Sequence, residues 1–169
     1  MAPHNGVANR KGRTMHDLGH LAQDISILHR SYYKDSASAF KKLQLNPTAA
    51  CILIAVCDCP GINQRQISQY LAIDKGLTAR EVAKLESAGY LRRVKGKGKS
   101  ISLDATEAGE GIADKARRIR ASWWQARFSS TGVTRTSELL PGIERIVHSL
   151  TGGLDTSSSS SPRSGHVRQ

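Results

Sequence analysis

The chain has 169 residues, 38% of them hydrophobic, which is enough apolar material for one domain with a real core. Lys and Arg number 25 against 14 acidic residues, so the formal net charge is +11. The longest uncharged apolar run, residues 49–57, is too short to cross a bilayer, and the polar N-terminus lacks the apolar stretch of a signal peptide. We therefore expect a cytoplasmic protein that needs no membrane and binds a polyanion, most simply a nucleic acid.

The first segment of the chain is polar and basic, and residues 1–13 are predicted to be a disordered arm. Over residues 14–45 the apolar side chains recur at spacings of three and four, which predicts a helix. They form one narrow stripe made of Leu18, Leu21, Ile25, Leu28 and Tyr32. A stripe of this width is typical of a helix that packs against another helix.

A second helix is predicted over residues 48–59, because Asn46 suits a cap and Pro47 the first helical position. This helix is apolar on nearly every side, so we expect it at the centre of the core. The dipeptide Pro60-Gly61 ends it.

Two short helices follow in close succession. Asn63 and Gln66 have the spacing of a capping box at the start of the first, and Asp74 is a good cap for the second. Gly89 stands where a helix prefers a left-handed terminator. Their inner faces are formed by Ile67, Tyr70 and Leu71, and by Thr78, Val82 and Leu85. Two short helices joined by a tight turn predict a helix-turn-helix.

The apolar period then changes from 3.6 to 2 around a flexible, positive tip. Lys95, Lys97 and Lys99 are separated by single glycines, and Ile101 and Leu103 alternate with serines. This pattern predicts a β-hairpin.

The last ordered region, residues 106–151, is predicted to hold two helices. Thr106 is a cap for a long helix, and the second helix spans about residues 137–150 with Pro141 in its first turn. The long helix has an apolar stripe of Ile112, Ala116, Ile119, Trp123 and Ala126. Residues 152–169 are rich in Ser, Gly and Arg and are predicted to be a disordered tail.

Taken together, these elements predict a mainly α fold with a small β-hairpin wing. Residues 46–105 form a winged helix-turn-helix, flanked by the helices of residues 14–45 and 106–151. In such an arrangement the second helix of the pair enters the DNA major groove. The hairpin lies along the flanking backbone or probes the minor groove, and its lysines neutralise phosphates and release counterions.

The ordered motifs over residues 45–125 resemble the MarR family of bacterial transcriptional regulators. The matching residues are Leu45-Asn46-Pro47, Gln64-Arg65, Asp74-Lys75, Leu85-Glu86 with Gly89, and Thr106 with Gly109. The chain departs from the family pattern at Glu81, where the family has an apolar residue, and at Gly76 and Leu77. Its wing is also shorter and lacks the family's Asp-x-Arg pair.

The resemblance implies a set of DNA-binding residues at the two helix starts and on the wing. They are Asn63, Gln64, Arg65, Lys75, Gly76, Leu77, Ala79, Arg80, Arg92, Lys95, Lys97 and Lys99. Arg80 is the best candidate for reading a base, because a guanidinium binds guanine O6 and N7 with two hydrogen bonds. The competing interpretation is a solvated helix face and a loose solubilising loop.

The resemblance also implies a homodimer built from the first helix and the last two. The contacts predicted for it are Leu18, Leu21, Ile25, Leu28, Ile119, Trp123, Ile143, Ile146 and Leu150. Trp123 and Trp124 point about 100° apart on a helix, so one belongs to the core or dimer contact and the other is free to line a cavity. The function implied is a dimeric repressor on a pseudo-palindromic operator, released by a small aromatic or anionic effector.

Arg30, Tyr33 and Cys51 are the positions that the resemblance suggests for an effector cleft. Cys51, Cys57 and Cys59 raise a second hypothesis, a redox-sensing member of the family, although buried cysteines are usually inert packing. His16 and His20 lie one helical turn apart, a spacing that can bind metal, but without further ligands we predict exposed histidines and neither metal nor cofactor.

Two other classes of function stay open at this point. An enzyme carrying a winged-helix piece is disfavoured, because the sequence has no Gly-rich phosphate loop and no Ser/His/Asp cluster. A winged-helix protein that binds RNA or acts as an architectural nucleic-acid-binding protein is the other alternative. Protection of a specific duplex would distinguish it from a transcription factor, because RNA recognition favours single strands or shape.

Overall fold

The computed structural model describes residues 18–95, 101–134 and 138–151. Its elements in chain order are α1 (Leu18–Lys41), α2 (Pro47–Asp58), α3 (Gln64–Tyr70), α4 (Lys75–Ser87), β1 (Leu91–Lys95), β2 (Ile101–Ala105), α5 (Glu107–Thr131) and α6 (Leu139–Thr151). The predicted fold class, mainly α with a β-hairpin wing, is confirmed. The arm and tail predicted for residues 1–13 and 152–169 lie outside the described residues.

The chain divides into two compact units, residues 1–35 and 36–169. In the first unit the described residues belong to α1, and its apolar side chains Leu18, Leu21, Ile25 and Leu28 are exposed. Within the described residues, no helix has the length and apolar character needed to span a membrane.

The core of the second unit is built around α2, as predicted. Asn46 caps this helix by accepting a hydrogen bond from the backbone N–H of Ala49 at 2.8 Å, and Pro47 follows at the first helical position. Side chains on nearly every side of α2 are buried, including Ile52, Leu53 and Val56. The helix packs against α4, α5 and β2, so it carries both the helix-turn-helix and the hairpin.

The wing is a two-stranded antiparallel hairpin in which Leu91 pairs with Ala105 and Arg93 pairs with Leu103. Leu91 and Leu103 are buried, whereas Ile101, nearer the tip of the hairpin, is half exposed. The base of the hairpin therefore belongs to the core, and its tip side extends into solvent. Ile62 forms an antiparallel bridge with Leu103, which anchors the segment before α3 to the wing.

The C-terminal helices differ in how much of their apolar surface is covered. Thr106 caps α5 as predicted, and Gly132 ends it in the left-handed region at φ 73°. Trp123 is buried while its neighbour Trp124 is 39% exposed, which settles which of the two indoles is covered. No residue of α6 is buried; its apolar face is exposed through Leu139, Leu140, Ile143, Ile146, Val147 and Leu150.

Candidate nucleic-acid interface

The start of α3 is held by the predicted capping box. The Asn63 side chain accepts from the backbone N–H of Gln66, and the Gln66 side chain accepts from the backbone N–H of Asn63, both at 3.0 Å. These bonds fix where the chain enters the helix. Gln64 is half-buried and Arg65 is exposed in the first turn, so the arginine is available to an outside partner.

The start of α4 is capped by Asp74, whose carboxylate accepts hydrogen bonds from the backbone N–H groups of Gly76 at 2.8 Å and Leu77 at 3.0 Å. Bonds from the N–H groups of Leu77 and Gly76 lower the pKa of Asp74, since they stabilise its charged form. A Cβ on Gly76 would lie 3.0 Å from the Asp74 Oδ1 atom, so the glycine leaves room for the cap.

The two faces of α4 have opposite roles. Thr78, Val82 and Leu85 are buried as predicted, and the carboxylate of Glu81 is buried with them. Gly76 is exposed and Leu77 is half-buried at the helix start. On the other face Lys75, Ala79 and Arg80 are exposed. The residue types expected to meet base edges therefore lie on the solvent side of the first two turns.

The wing is braced against α4 by an ion pair that sequence reasoning missed. Arg93 donates to Glu86 through both Nε and Nη2, each at 2.8 Å, the two-bond geometry in which an arginine–carboxylate pair is most directional. Arg92 is exposed, and its Nη2 atom lies 3.6 Å from Oδ2 of Asp104 on the opposite strand. Lys95 is exposed at the end of β1, while Lys97 and Lys99 lie outside the described residues.

A small cleft of about 250 Å³ joins the start of α3 to the hairpin. Its lining is Asn63, Gln64, Arg65, Arg93, Ile101 and Leu103. The structure thus brings three of the predicted DNA-binding residues together with Arg93, which was not among them. The available signal was the two-residue period of β1, which places Arg93 on the same strand face as the buried Leu91.

The three predicted effector residues fall in different units. Arg30 and Tyr33 lie on α1 in the first unit, where the centroid of the Tyr33 ring is 4.3 Å from the centroid of the His29 ring. Cys51 lies half-buried on α2 in the second unit. The effector site at these residues stays a prediction.

A larger groove than this cleft lies elsewhere, between the end of α5 and α6, and has a volume of about 860 Å³. Its lining is mainly apolar and includes Trp124, Phe128, Leu139, Leu140 and Ile143. None of the three predicted effector residues contributes to it.

The cysteines are free thiols in the structure. Burial raises the pKa of all three, Cys51, Cys57 and Cys59, because the thiolate loses hydration. Nearby Arg120 and Arg117 partly offset this effect for Cys51 and Cys57, respectively. Of the predicted histidine pair, His20 is exposed on α1 and His16 lies outside the described residues, which contain no group of three or more potential metal ligands.

Comparison with known proteins agrees with this architecture. The family model described as the MarR family matches residues 43–99, from the turn before α2 to the wing. No curated protein sequence matches the chain.

Solved structures of similar fold include three informative cases. A MarR transcriptional regulator from Methanosarcina mazei Go1 is 27% identical, with a TM-score of 0.71, and the match covers 79% of this chain and 91% of that one. A MarR family transcriptional regulator from Listeria monocytogenes complexed with a 26mer DNA is 22% identical, with a TM-score of 0.70 and coverage of 86% and 98%. CouR from Rhodococcus jostii RHA1, bound to p-coumaroyl-CoA, is 20% identical, with a TM-score of 0.64 and coverage of 80% and 91%.

The family match covers the motif-bearing segment, and the structural matches show a similar fold. The family and the similar structures are transcriptional regulators. The resemblance seen in the sequence is therefore confirmed over residues 43–99, the segment that matches the MarR family model.

Proposed function

We propose that this protein is a DNA-binding transcriptional repressor that reads duplex DNA with the first two turns of α4. The observation that carries the proposal is the placement of Lys75 and Arg80 on the exposed face of a helix whose opposite face is locked into the core. Arg65 at the start of α3, and Arg92 and Lys95 on the wing, supply further exposed positive charge for phosphates. The DNA complex of the Listeria protein, which has a similar fold, supports a duplex as the partner.

The repressor acts as a homodimer on a pseudo-palindromic operator. One α4 per protomer supplies one reading helix, so a two-fold dimer requires two half-sites. The apolar faces of α1 and α6 support dimerisation, because both are exposed in the protomer and a face of that kind favours burial against a partner.

A small effector releases the repressor from DNA. CouR, a protein of similar fold, is bound to p-coumaroyl-CoA, a molecule with both an aromatic ring and anionic phosphates. That agrees with an aromatic or anionic effector for the present chain, with Arg30, Tyr33 and Cys51 as its proposed contacts.

Selection from a pool of random-sequence duplexes with the full-length chain tests the DNA-binding proposal. We expect enrichment of a pseudo-palindrome with half-sites about one helical turn apart. DNase footprinting on the region upstream of the protein's own gene then asks whether the selected sequence occurs there.

Competition separates the proposal from the RNA-binding alternative. A single-stranded RNA of equal length should displace the selected duplex only weakly. An unenriched pool, or stronger binding to the RNA than to every duplex, would overturn the proposed function.

A further inference from the structure

The inner face of α4 contains a buried carboxylate among apolar and neutral side chains. Glu81 is only 4% exposed and lies on the same face as Thr78, Val82 and Leu85. Burying a carboxylate is strongly unfavourable unless its oxygens are hydrogen bonded or ion paired, so nearby groups must offset the lost hydration. The partners of Glu81 therefore decide what this residue does.

Each oxygen of Glu81 has one partner. Lys84, on the same helix, donates to Oε1 at 2.8 Å. Asn46, at the start of α2 and 35 residues earlier, donates to Oε2 at 2.9 Å through its side-chain amide. Only the second bond joins two different helices.

Asn46 is held at both ends of its amide. Its Oδ1 atom accepts from the backbone N–H of Ala49 at 2.8 Å, which is the cap of α2, while its Nδ2 atom donates to Glu81. A carbonyl oxygen cannot donate and an amide nitrogen cannot accept, so the two bonds permit only one orientation of this side chain. The cap of α2 is thereby linked to α4.

The bond between Asn46 and Glu81 constrains α4 in a way that its apolar contacts do not. Apolar packing is non-directional, whereas a hydrogen bond weakens steeply when the angle between donor, hydrogen and acceptor falls below about 120°. Arg80 directly precedes Glu81 in α4, so any rotation of the helix that strains this bond also re-aims the Arg80 side chain.

We propose that the hydrogen bond from Asn46 to the buried Glu81 is a positioning device, which sets the rotation of α4 about its axis and so directs Arg80 at its base. Asn46 and Glu81 are positioning residues and do not touch DNA themselves. The inference rests on the proposed function, since it concerns how selectively α4 reads a duplex.

The test uses the full-length chain and two duplexes, the sequence selected by the parent protein and a scrambled version of it. The readout is the affinity ratio, which is the dissociation constant for the scrambled duplex divided by that for the selected duplex. It is measured under conditions in which circular dichroism shows every variant to be folded. A loss of folded protein weakens both affinities by the same factor and leaves this ratio unchanged. A misdirected Arg80 lowers the ratio.

Four variants separate the bond from the cap and from the charge. Asn46→Ser keeps a capping oxygen and removes the amide donor, and Asn46→Asp keeps the cap but places a second carboxylate against Glu81. Glu81→Gln keeps one acceptor oxygen for Asn46, removes the charge and replaces the oxygen that accepts from Lys84 with an amide donor. The exchange Asn46→Asp with Glu81→Gln restores a hydrogen bond with its direction reversed and leaves the net charge of the protein unchanged.

We expect Asn46→Ser and Asn46→Asp to lower the affinity ratio about tenfold, the size of one lost base contact. Glu81→Gln and the exchange variant should stay within about twofold of the parent, which is small on that scale. Unchanged ratios in both Asn46 variants, or a failure of the exchange to restore the ratio lost in Asn46→Asp, would overturn the inference while leaving the proposed function intact. A parent protein with no preference between the duplexes would instead contradict the proposed function, and the positioning role would fall with it.

Discussion

Gly109 of α5 packs directly against the backbone carbonyl of Tyr90, so closely that a Cβ on the glycine would overlap the carbonyl oxygen. The contact lies where the wing returns to the body of the unit. Thr106 supports it by donating to the carbonyl of Gly89 at 2.7 Å and accepting from the N–H of Gly109 at 3.0 Å. Thr106 and Gly109 therefore attach the start of α5 to the segment that ends α4.

Gly109→Ala should destabilise the fold by about 3 kcal/mol, because the obstructing atom belongs to the backbone and cannot rotate away. Gly111→Ala is the matched control: it lies two residues later in α5, and a Cβ there meets nothing within 4 Å. That change should stabilise the helix by about 0.5–1 kcal/mol. Urea unfolding of both variants measures the difference, and equal stabilities would show that the close approach to Tyr90 is easily relieved.

Arg80→Ala should weaken binding to the selected duplex by roughly 1–3 kcal/mol and leave binding to scrambled DNA nearly unchanged, since a base contact discriminates between sequences. Arg118→Ala is a control of equal charge at an exposed position on α5. Binding isotherms on both duplexes give the answer. Equal losses on the two duplexes would mean that Arg80 contacts phosphate only.

Changing Lys95, Lys97 and Lys99 together to Gln should reduce affinity for every sequence by a similar factor. If each lysine contacts phosphate, the slope of log K against log salt becomes shallower by roughly 0.9 per lost contact, or up to about 5 for the six lysines of a dimer. The measurement is a salt series on the selected and scrambled duplexes. A slope equal to that of the parent would show that the wing tip does not contact DNA.

Ile146→Glu should dissociate the proposed dimer without unfolding the protomer, because this side chain is 58% exposed on the apolar face of α6. His148→Glu places the same carboxylate on the opposite side of the helix, about 160° around from Ile146, and should leave the dimer intact. Sedimentation velocity and circular dichroism measure assembly and folding separately. A parent that sediments as a monomer at micromolar concentration and still binds the palindrome would disprove the dimer.

Peroxide should not release the parent protein from DNA. The pKa of each cysteine is raised by burial, so at neutral pH the thiols stay protonated and react slowly with oxidants. The Cys51→Ser, Cys57→Ser and Cys59→Ser triple variant is the control. Release of the parent by peroxide, absent in the variant and reversed by a thiol, would favour the redox-sensing alternative.

The raised pKa of Cys51 also predicts how stability depends on pH. Its folded-state pKa exceeds the unfolded value, so the unfolded chain releases the proton first as the pH rises. The contribution of the protonated thiol is fully present below the unfolded pKa and is lost as the pH rises through the folded pKa. Cys51→Ala should therefore show a smaller loss of stability in alkaline urea titrations than the parent, and parallel titrations would contradict this.

Local features of the fold were predictable from the sequence because they depend on residues close together in the chain. The caps at Asn63, Asp74 and Thr106 each involve bonds to a residue at most three positions away. The inner face of α4 followed in the same way, since a period of 3.6 residues fixes which side chains share a side. Lys75 and Arg80, which the resemblance to the MarR family assigned to the outer face, are exposed.

Relationships between distant residues were decided by the tertiary structure. The periodicity of α4 did not predict that Glu81 is buried, because a carboxylate enters a core only when a partner such as Asn46 is brought to it from another helix. Likewise, Trp123 and Trp124 were expected to face different ways, but only the packing of the chain determined that Trp123 is the buried one. The sequence alone determined the helices, their caps and their surfaces, whereas contacts such as the bond between Asn46 and Glu81 depend on residues that meet only after the chain has folded.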